Sequence, residues 1–283
     1  MRFLFKGYTL LIILVILSIL SLFIGVSQLS ITDLFHLSDN QKNILFSSRI
    51  PRTISILLSG SSLALAGLVM QQMMQNKFVS PTTAGTMEWA KLGILLSLIF
   101  FPKGHILIKL TFAVALSLGG TFLFVKLINF IKVKEVIFVP LLGIMIGGIV
   151  SSFTTFIALR TNALQSINNW LNGNFAVITS GRYEILYLAI PLLIIAYIFA
   201  NHFTIAGMGK DFSHNLGVKY EQIINIALLI TATLTALVVV TVGTLPFLGL
   251  IVPNIISMYR GDHLKNALPH TLMLGSISVS YTH

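Results

Sequence analysis

Residues 222–259 read QIINIALLITATLTALVVVTVGTLPFLGLIVPNIISMY, 38 residues without a charged side chain. Water does not tolerate such a run, and lipid does not tolerate it as irregular backbone. A hydrocarbon core about 30 Å thick offers no partner to backbone N–H and C=O groups, so the run must close its hydrogen bonds internally as helix. One helix of that length would reach about 57 Å, nearly twice the thickness to be crossed. Gly243, Pro246, Gly249 and Pro253 interrupt it. The stretch therefore predicts two spans, roughly Ile223–Val242 and Leu250–Tyr259, around a bent connection.

The same pattern extends in both directions. Uncharged apolar runs cover Gly7–Thr32, Thr53–Asn76, Leu92–Pro102, Leu110–Val125, Val136–Leu159 and Ile185–Met208, and a last one opens near Ala267. Leu92–Pro102 is short, so its helix is expected to begin upstream, near Thr83. The result is an all-α polytopic membrane bundle with eight spans and the start of a ninth. Composition agrees: 9% of residues are charged and 55% hydrophobic, and mean hydropathy is +0.93. A soluble chain would carry about 25% charge. The polar intervals are too short for an extramembrane domain. The run after Lys6 is too long, and lacks the small-residue cleavage site, for a secretory signal. It reads as a retained first span. The run from Ala267 is too short to cross comfortably, so its helix is interfacial or the chain is a fragment, the second being preferred.

A formal net charge of +10 would fit nucleic acid, but basic residues gather in the cytoplasmic loops of membrane proteins, and that reading is preferred. With the amino terminus in the cytoplasm, strict alternation puts Arg2, Lys6, Lys77, Lys91, Lys126, Lys132, Lys134, Lys210, Lys219, Arg260 and Lys265 inside. It leaves Lys42, Arg49, Arg52, Lys103, Lys109, Arg160 and Arg182 outside. The excess inside supports this orientation.

Catalysis finds little support. Cysteine is absent, which removes disulfides, thiolate metal sites and cysteine nucleophiles. The seven histidines, His36, His105, His202, His214, His263, His270 and His283, lack metal-site spacing and read as scattered loop residues. No nucleotide-binding G-x-x-x-x-G-K-[ST] and no G-x-S-x-G occur. No catalytic residue, metal or cofactor is expected. Ion-coupled carriers usually need a buried ionisable group. Here Glu88 sits at the start of the third span and can pair with Lys91. Backbone carbonyls can also hold sodium, so a secondary carrier stays as an alternative.

Small residues mark two spans. Gly60, Ala64 and Gly67 lie on the second, Gly143, Gly147 and Gly148 on the fifth. Such spacing lets helix backbones approach closely. It serves helix packing or a translocation path. Arg49 and Arg52 bracket Ile50-Pro51 at the outer mouth of the second span, as interfacial anchors or as partners for external carboxylates. On the inner side, residues 206–221 mix charge with Phe212, Leu216 and Val218, which put an apolar side on a short helix. Asp211 or Ser213 can cap it and Gly217 can end it. That helix lies on lipid or docks into a groove of a cytoplasmic partner.

Three spaced stretches carry a family resemblance. Arg49-Ile-Pro-Arg52-Thr53 leads into Gly60-x-x-Leu63-Ala64-x-Ala66-Gly67-x-x-Met70-Gln71. Asn76-Lys-Phe-Val-Ser-Pro81 with Gly85 follows. Gly243-Thr-Leu-Pro-Phe247-Leu-Gly249 runs on to Pro253-Asn254 and Arg260-Gly261-Asp262-His263. Together they resemble the permease subunits of FecCD-type ABC importers of iron–siderophores and vitamin B12. The resemblance implies a single permease domain over residues 1–283 with ten spans in the complete fold. It implies a second permease, as a copy or a paralogue, two ATP-binding subunits below, and an extracytoplasmic substrate-binding protein above. It assigns Arg49 and Arg52 to binding-protein docking. It assigns the loop containing Gly209, Lys210, Asp211, Ser213, His214, Leu216, Gly217 and Val218 to ATPase coupling. The glycine-rich fifth span matches a helix near the translocation path. Asn254 stands where the family commonly has His, and Thr86-Met87-Glu88-Trp89-Ala90-Lys91 replaces a Gly-Ala-rich segment. The implied function is ferric-siderophore import across the cell membrane, with haem, cobalamin or another chelate as the alternative cargo.

Overall fold

A computed structural model describes residues 6–23, 38–131 and 135–283. Arg2, His36, Lys132, Lys134 and the carboxyl end of the first predicted span lie outside them. Helix α1 (Gly7–Phe23) is followed by α2 (Asp39–Ile44), which opens on a capping box between Ser38 and Gln41. A π-helical turn, Leu45–Arg49, carries α2 directly into α3 (Ile50–Met73). Then come α4 (Thr86–Phe100), α5 (Ile106–Ile131), α6 (Phe138–Arg160) and the short α7 (Leu164–Leu171). Single turns at Phe175–Val177 and Tyr183–Leu188 lead to α8 (Ala189–Ile198) and α9 (Ala200–Ala206). The chain continues through α10 (Lys210–Asn215), α11 (Tyr220–Thr241), α12 (Leu248–Arg260) and α13 (Leu264–Thr282). No strand occurs among the described residues.

Four described helices are long and apolar enough to cross a membrane: Gln41–Met73, α5, α6 and α11. Tyr183–Ile198 and Ala200–Ala206 meet the same length and composition test only when taken together, with a 60° bend between them. The break foreseen in residues 222–259 is present, and its anchor is now visible. Gly243 takes φ +101°, which favours glycine. Thr244 donates its N–H and its hydroxyl to the Leu171 carbonyl at the end of α7, both at 3.1 Å. A side chain at position 243 would press on that carbonyl.

Two expectations shift. The third span starts at Thr86 rather than Thr83. Ser80 and Thr83 cap each other's N–H groups (3.2 and 2.8 Å), and Gly85 at φ +76° turns the chain into α4. The second span is longer than its uncharged run, because helix continues upstream through Arg49. Pro51 lacks the N–H that the Ser47 carbonyl would receive in a regular helix. That carbonyl accepts instead from Ser180 N–H at 3.1 Å, and the neighbouring Phe46 carbonyl accepts from the Ser180 hydroxyl at 3.2 Å. A proline in one helix thus creates the mooring for a distant turn. Ser180→Ala removes one of these two bonds and is expected to lower stability by about 1 kcal/mol, read from thermal unfolding in detergent.

The core forms where α3 and α11 meet, and both are largely buried along their apolar windows; α5 and α6 are mostly exposed. Glycines set the closest approaches. Gly60 faces the backbone of Gly275 on α13, Gly67 that of Gly249 on α12, and Gly93 that of Phe112 on α5. Helix α13 packs along α3, and Ser276 donates to the Leu57 carbonyl at 2.8 Å.

Candidate functional site

The fold gathers charge at two opposite ends. At one end the π-turn, the Thr179–Arg182 turn and the start of α5 come together. At the other, Lys77 pairs with Asp262, and Lys210 Nζ meets Glu221 Oε1 at 2.9 Å.

At the first end Arg49 is buried and donates to the Leu22 carbonyl of α1. Arg52 is half-buried, and its Nη2 donates to the His283 carbonyl. The two arginines share a face without being equally accessible. Arg49 ties α1 to the π-turn, whereas Arg52 reaches the rim.

The loop at the other end is built with little freedom. Gly209 at φ +108° starts α10 without a side-chain cap. Ser213 does not cap the helix, contrary to expectation. It is fully buried inside it, and its hydroxyl donates to the carbonyls of Gly209 (2.8 Å) and Ile205 (3.2 Å). Asp211 does not cap it either. Gly217, at φ +72°, ends the helix as foreseen. Its N–H reaches His214 O, and Val218 N–H reaches Ser213 O at 2.9 Å, the paired bonds of a Schellman stop. Val218 packs into the core, while Phe212 and Leu216 stay 47% and 55% exposed. Two apolar side chains thus project from a rigid turn. The hydrogen bond to Glu221 raises the Lys210 pKa, so that ammonium stays charged through the physiological range. Beside the loop, a recess of about 410 Å³ is lined by Gln71, Gln75, Lys77, Gly207, Asp262 and others.

The small residues sort themselves by contact. Gly60, Ala64 and Gly67 are packing surfaces of α3. Gly143 abuts the backbone of Thr83 and Ala84, and a Cβ added at Gly147 would lie 3.2 Å from Gly85 Cα. Gly148 is exposed with nothing near it. Around it α6 presents Ile144, Met145, Ile149, Phe153 and Phe156, all more than half exposed. Asn254 donates to the carbonyls of Lys77 (2.8 Å) and Leu250 (2.9 Å), and so fastens α12 to the loop after α3.

Glu88 and Lys91 do pair, at 2.6 Å, with both side chains about one-fifth to one-quarter exposed. The second carboxylate oxygen of Glu88 is buried without a partner. Lys91→Leu strands that carboxylate and is expected to cost about 2 kcal/mol. Adding Glu88→Gln should restore most of it, since a paired charge traded for neutral groups is nearly neutral in cost. A double-mutant thermal-unfolding cycle reads the difference.

The histidines are scattered but not confined to loops: His202 lies in α9, His214 in α10 and His270 in α13. No three His, Cys, Asp or Glu side chains converge among the described residues. What sequence reading missed is the pinning. Ser180 with the π-turn and Thr244 with Leu171 join segments far apart in the chain, and no local pattern announces them.

A helical bundle with several helices apolar enough to cross lipid, broken where irregular backbone is held by neighbouring helices, is a multi-pass membrane protein. The chain belongs to the FecCD transport family, whose profile matches residues 12–283. It is a permease subunit of an ABC importer and not itself an enzyme; a partner permease and an ATPase complete such a machine. It is 54% identical to the petrobactin import system permease protein YclN of Bacillus subtilis, covering 95% of this chain and 85% of that one. It is 36% identical to the ferric-anguibactin transport system permease protein FatD of Vibrio anguillarum, covering 90% and 82%. A metal-chelate type ABC transporter in an inward-facing conformation shares the fold, with TM-score 0.81 at 23% identity over 97% of this chain and 88% of that one.

Proposed function

We propose that this subunit passes ferric siderophores of the petrobactin type through the cell membrane, driven by ATP hydrolysis in partner subunits. The observation that carries the reading is the 54% identity with a petrobactin permease across nearly the whole chain. The amino terminus lies in the cytoplasm, so the Arg49–Arg52 rim faces out and α10 faces in. An extracytoplasmic binding protein docks on that rim through its own carboxylates and releases cargo between two permeases, beside the exposed face of α6. Closure of the ATPases pushes on α10. Its rigid mooring through Ser213 carries the movement to α9 and α11, to which α10 is joined.

The test is ATP-dependent uptake of radiolabelled ferric petrobactin by the reconstituted importer. Accumulation by the permease alone, in liposomes without an ATPase, would overturn the proposal. Arg52→Glu is expected to cut binding-protein-dependent uptake by about tenfold with normal membrane levels, the size of one lost charge-assisted contact. Arg49→Glu should lower uptake and protein level together, because it buries a carboxylate against the Leu22 carbonyl. Unimpaired uptake in Arg52→Glu sinks the docking role.

A further inference from the structure

Two cations at the outer end share one aromatic ring and have no carboxylate between them. Lys109 Nζ lies 5.4 Å from the centre of the Trp170 ring, and the Arg182 guanidinium carbon lies 4.0 Å from it. Each cation is attracted by the ring's negative face, but the two repel one another. Neither takes part in an ion pair among the described residues. The nearest acid along the chain, Glu184, makes no ion pair with Arg182 and accepts from Gly181 N–H at 2.7 Å.

Their donors are largely unspent. Lys109 is 8% exposed and gives one hydrogen bond, to the Gly104 carbonyl at 2.9 Å, out of three it can make. Arg182 Nε is buried without a partner. Enclosed donors of positive charge left unmatched are costly, which a bound anion would relieve.

Each group also stands on a fixed support. Lys109 is in the first turn of α5. Trp170 is in the last turn of α7, which is pinned through Leu171 to Thr244. Arg182 closes the turn that Ser180 moors to the π-turn bearing Arg49. Such an arrangement needs no reordering to receive a ligand.

We propose that Lys109, Trp170 and Arg182 form an oxyanion-binding site at the outer mouth, which takes a carboxylate or phenolate group of the incoming iron chelate. The proposal rests on the importer reading for its direction, since cargo reaches this end first. The enclosure of Lys109, 8% exposed, favours a small chelate over a broad protein surface. The guanidinium supplies a planar fork for one oxyanion and the ammonium a point charge beside it. The indole holds both cations through its ring face and reports on what binds them.

The chain holds only two tryptophans, so a Trp89→Phe background leaves Trp170 as the sole reporter within the subunit. Trp89 Nε1 has no hydrogen-bond partner to lose. The assembled importer would contain this variant and tryptophan-free versions of its partners, in lipid nanodiscs without the binding protein. Gallium(III)–citrate serves as the probe, being anionic, colourless and redox-inert. A saturable change in Trp170 emission is expected. Arg182→Gln and Lys109→Gln should each weaken it by about tenfold, the factor given by 1.4 kcal/mol. Arg182→Lys and Lys109→Arg keep the charge and should bind more tightly than the Gln variants, although the lysine lacks the planar fork; this guards against a folding artefact. A neutral gallium trihydroxamate should give no response.

Absence of a saturable response overturns the site. So does equal binding in the Gln variants, which would leave the cluster as packing only. A response to the binding protein alone, with none to gallium(III)–citrate, assigns the cations to protein docking and equally overturns it. Because this readout needs no transport, its failure is separable from failure of the importer reading, which ATP-dependent uptake decides.

Discussion

Replacing Gly67 by leucine is expected to remove the protein from the membrane, with accumulation below about a tenth of wild type. The cause is local. A Cβ at Gly67 would overlap the backbone carbonyl of Gly249, where α3 crosses the first turn of α12. Backbone cannot swing aside as a flexible side chain can, so the helices must separate. Overpacking usually costs about 1–3 kcal/mol. Here a whole helix pair would move, and Gln71 Nε2, which donates to Leu250 O at 3.2 Å, would lose its partner as well. Lipid supplies no hydrophobic force to compensate, since close packing is what holds helices together there. Fluorescence-detected size exclusion of a tagged permease measures the outcome. Gly148→Ala is the matched control. Nothing lies within 4 Å of its added methyl, so normal levels are expected. Normal levels of the Gly67→Leu variant would show that α3 and α12 do not meet through these glycines.

The contrast between Gly67 and Gly148 shows what a sequence can disclose. Both are small residues in apolar runs, and their spacing announces close packing. Which neighbour each one meets depends on how helices cross, and nothing near either glycine encodes that. The break after Thr241 was readable because Gly243, Pro246 and Gly249 act on their own backbone. The upstream extension of α3 was not, because Pro51 reads locally as a helix start. Its compensation comes from Ser180, well over a hundred residues away. Asp211 and Ser213 were misjudged for a related reason. Both residues suit a helix N-cap, but Gly209 turns the chain first and places them inside α10. The two rim arginines share one end of α3, but they differ in access. Their unequal burial follows from α1 lying against the π-turn, and the link between Lys109, Trp170 and Arg182 spans three separate segments.

Phe212→Asp together with Leu216→Asp is expected to abolish uptake while leaving the permease in the membrane at its normal level. The two side chains are half-exposed, Phe212 on α10 and Leu216 at its C-cap. About half of each surface faces solvent and neither belongs to the buried core, so their loss costs little internal packing. The turn that holds them is fixed independently, by Ser213 hydroxyl bonds on one side and by the Gly217–Val218 stop on the other. A six-residue helix has no stability of its own, so its rigidity must come from these bonds. Rigidity is what a part that transmits displacement requires. Apolar anchors of this kind carry most of the energy where a short helix enters a partner's groove, about 2 kcal/mol or more apiece. Two introduced carboxylates would add desolvation to that loss. The ATPase should then no longer copurify with the permease. Ser213→Ala poses the complementary question, since it keeps the apolar contacts and loosens the mooring. It should retain the ATPase but lower uptake several-fold. Full uptake by the double aspartate variant would show that force does not enter through α10.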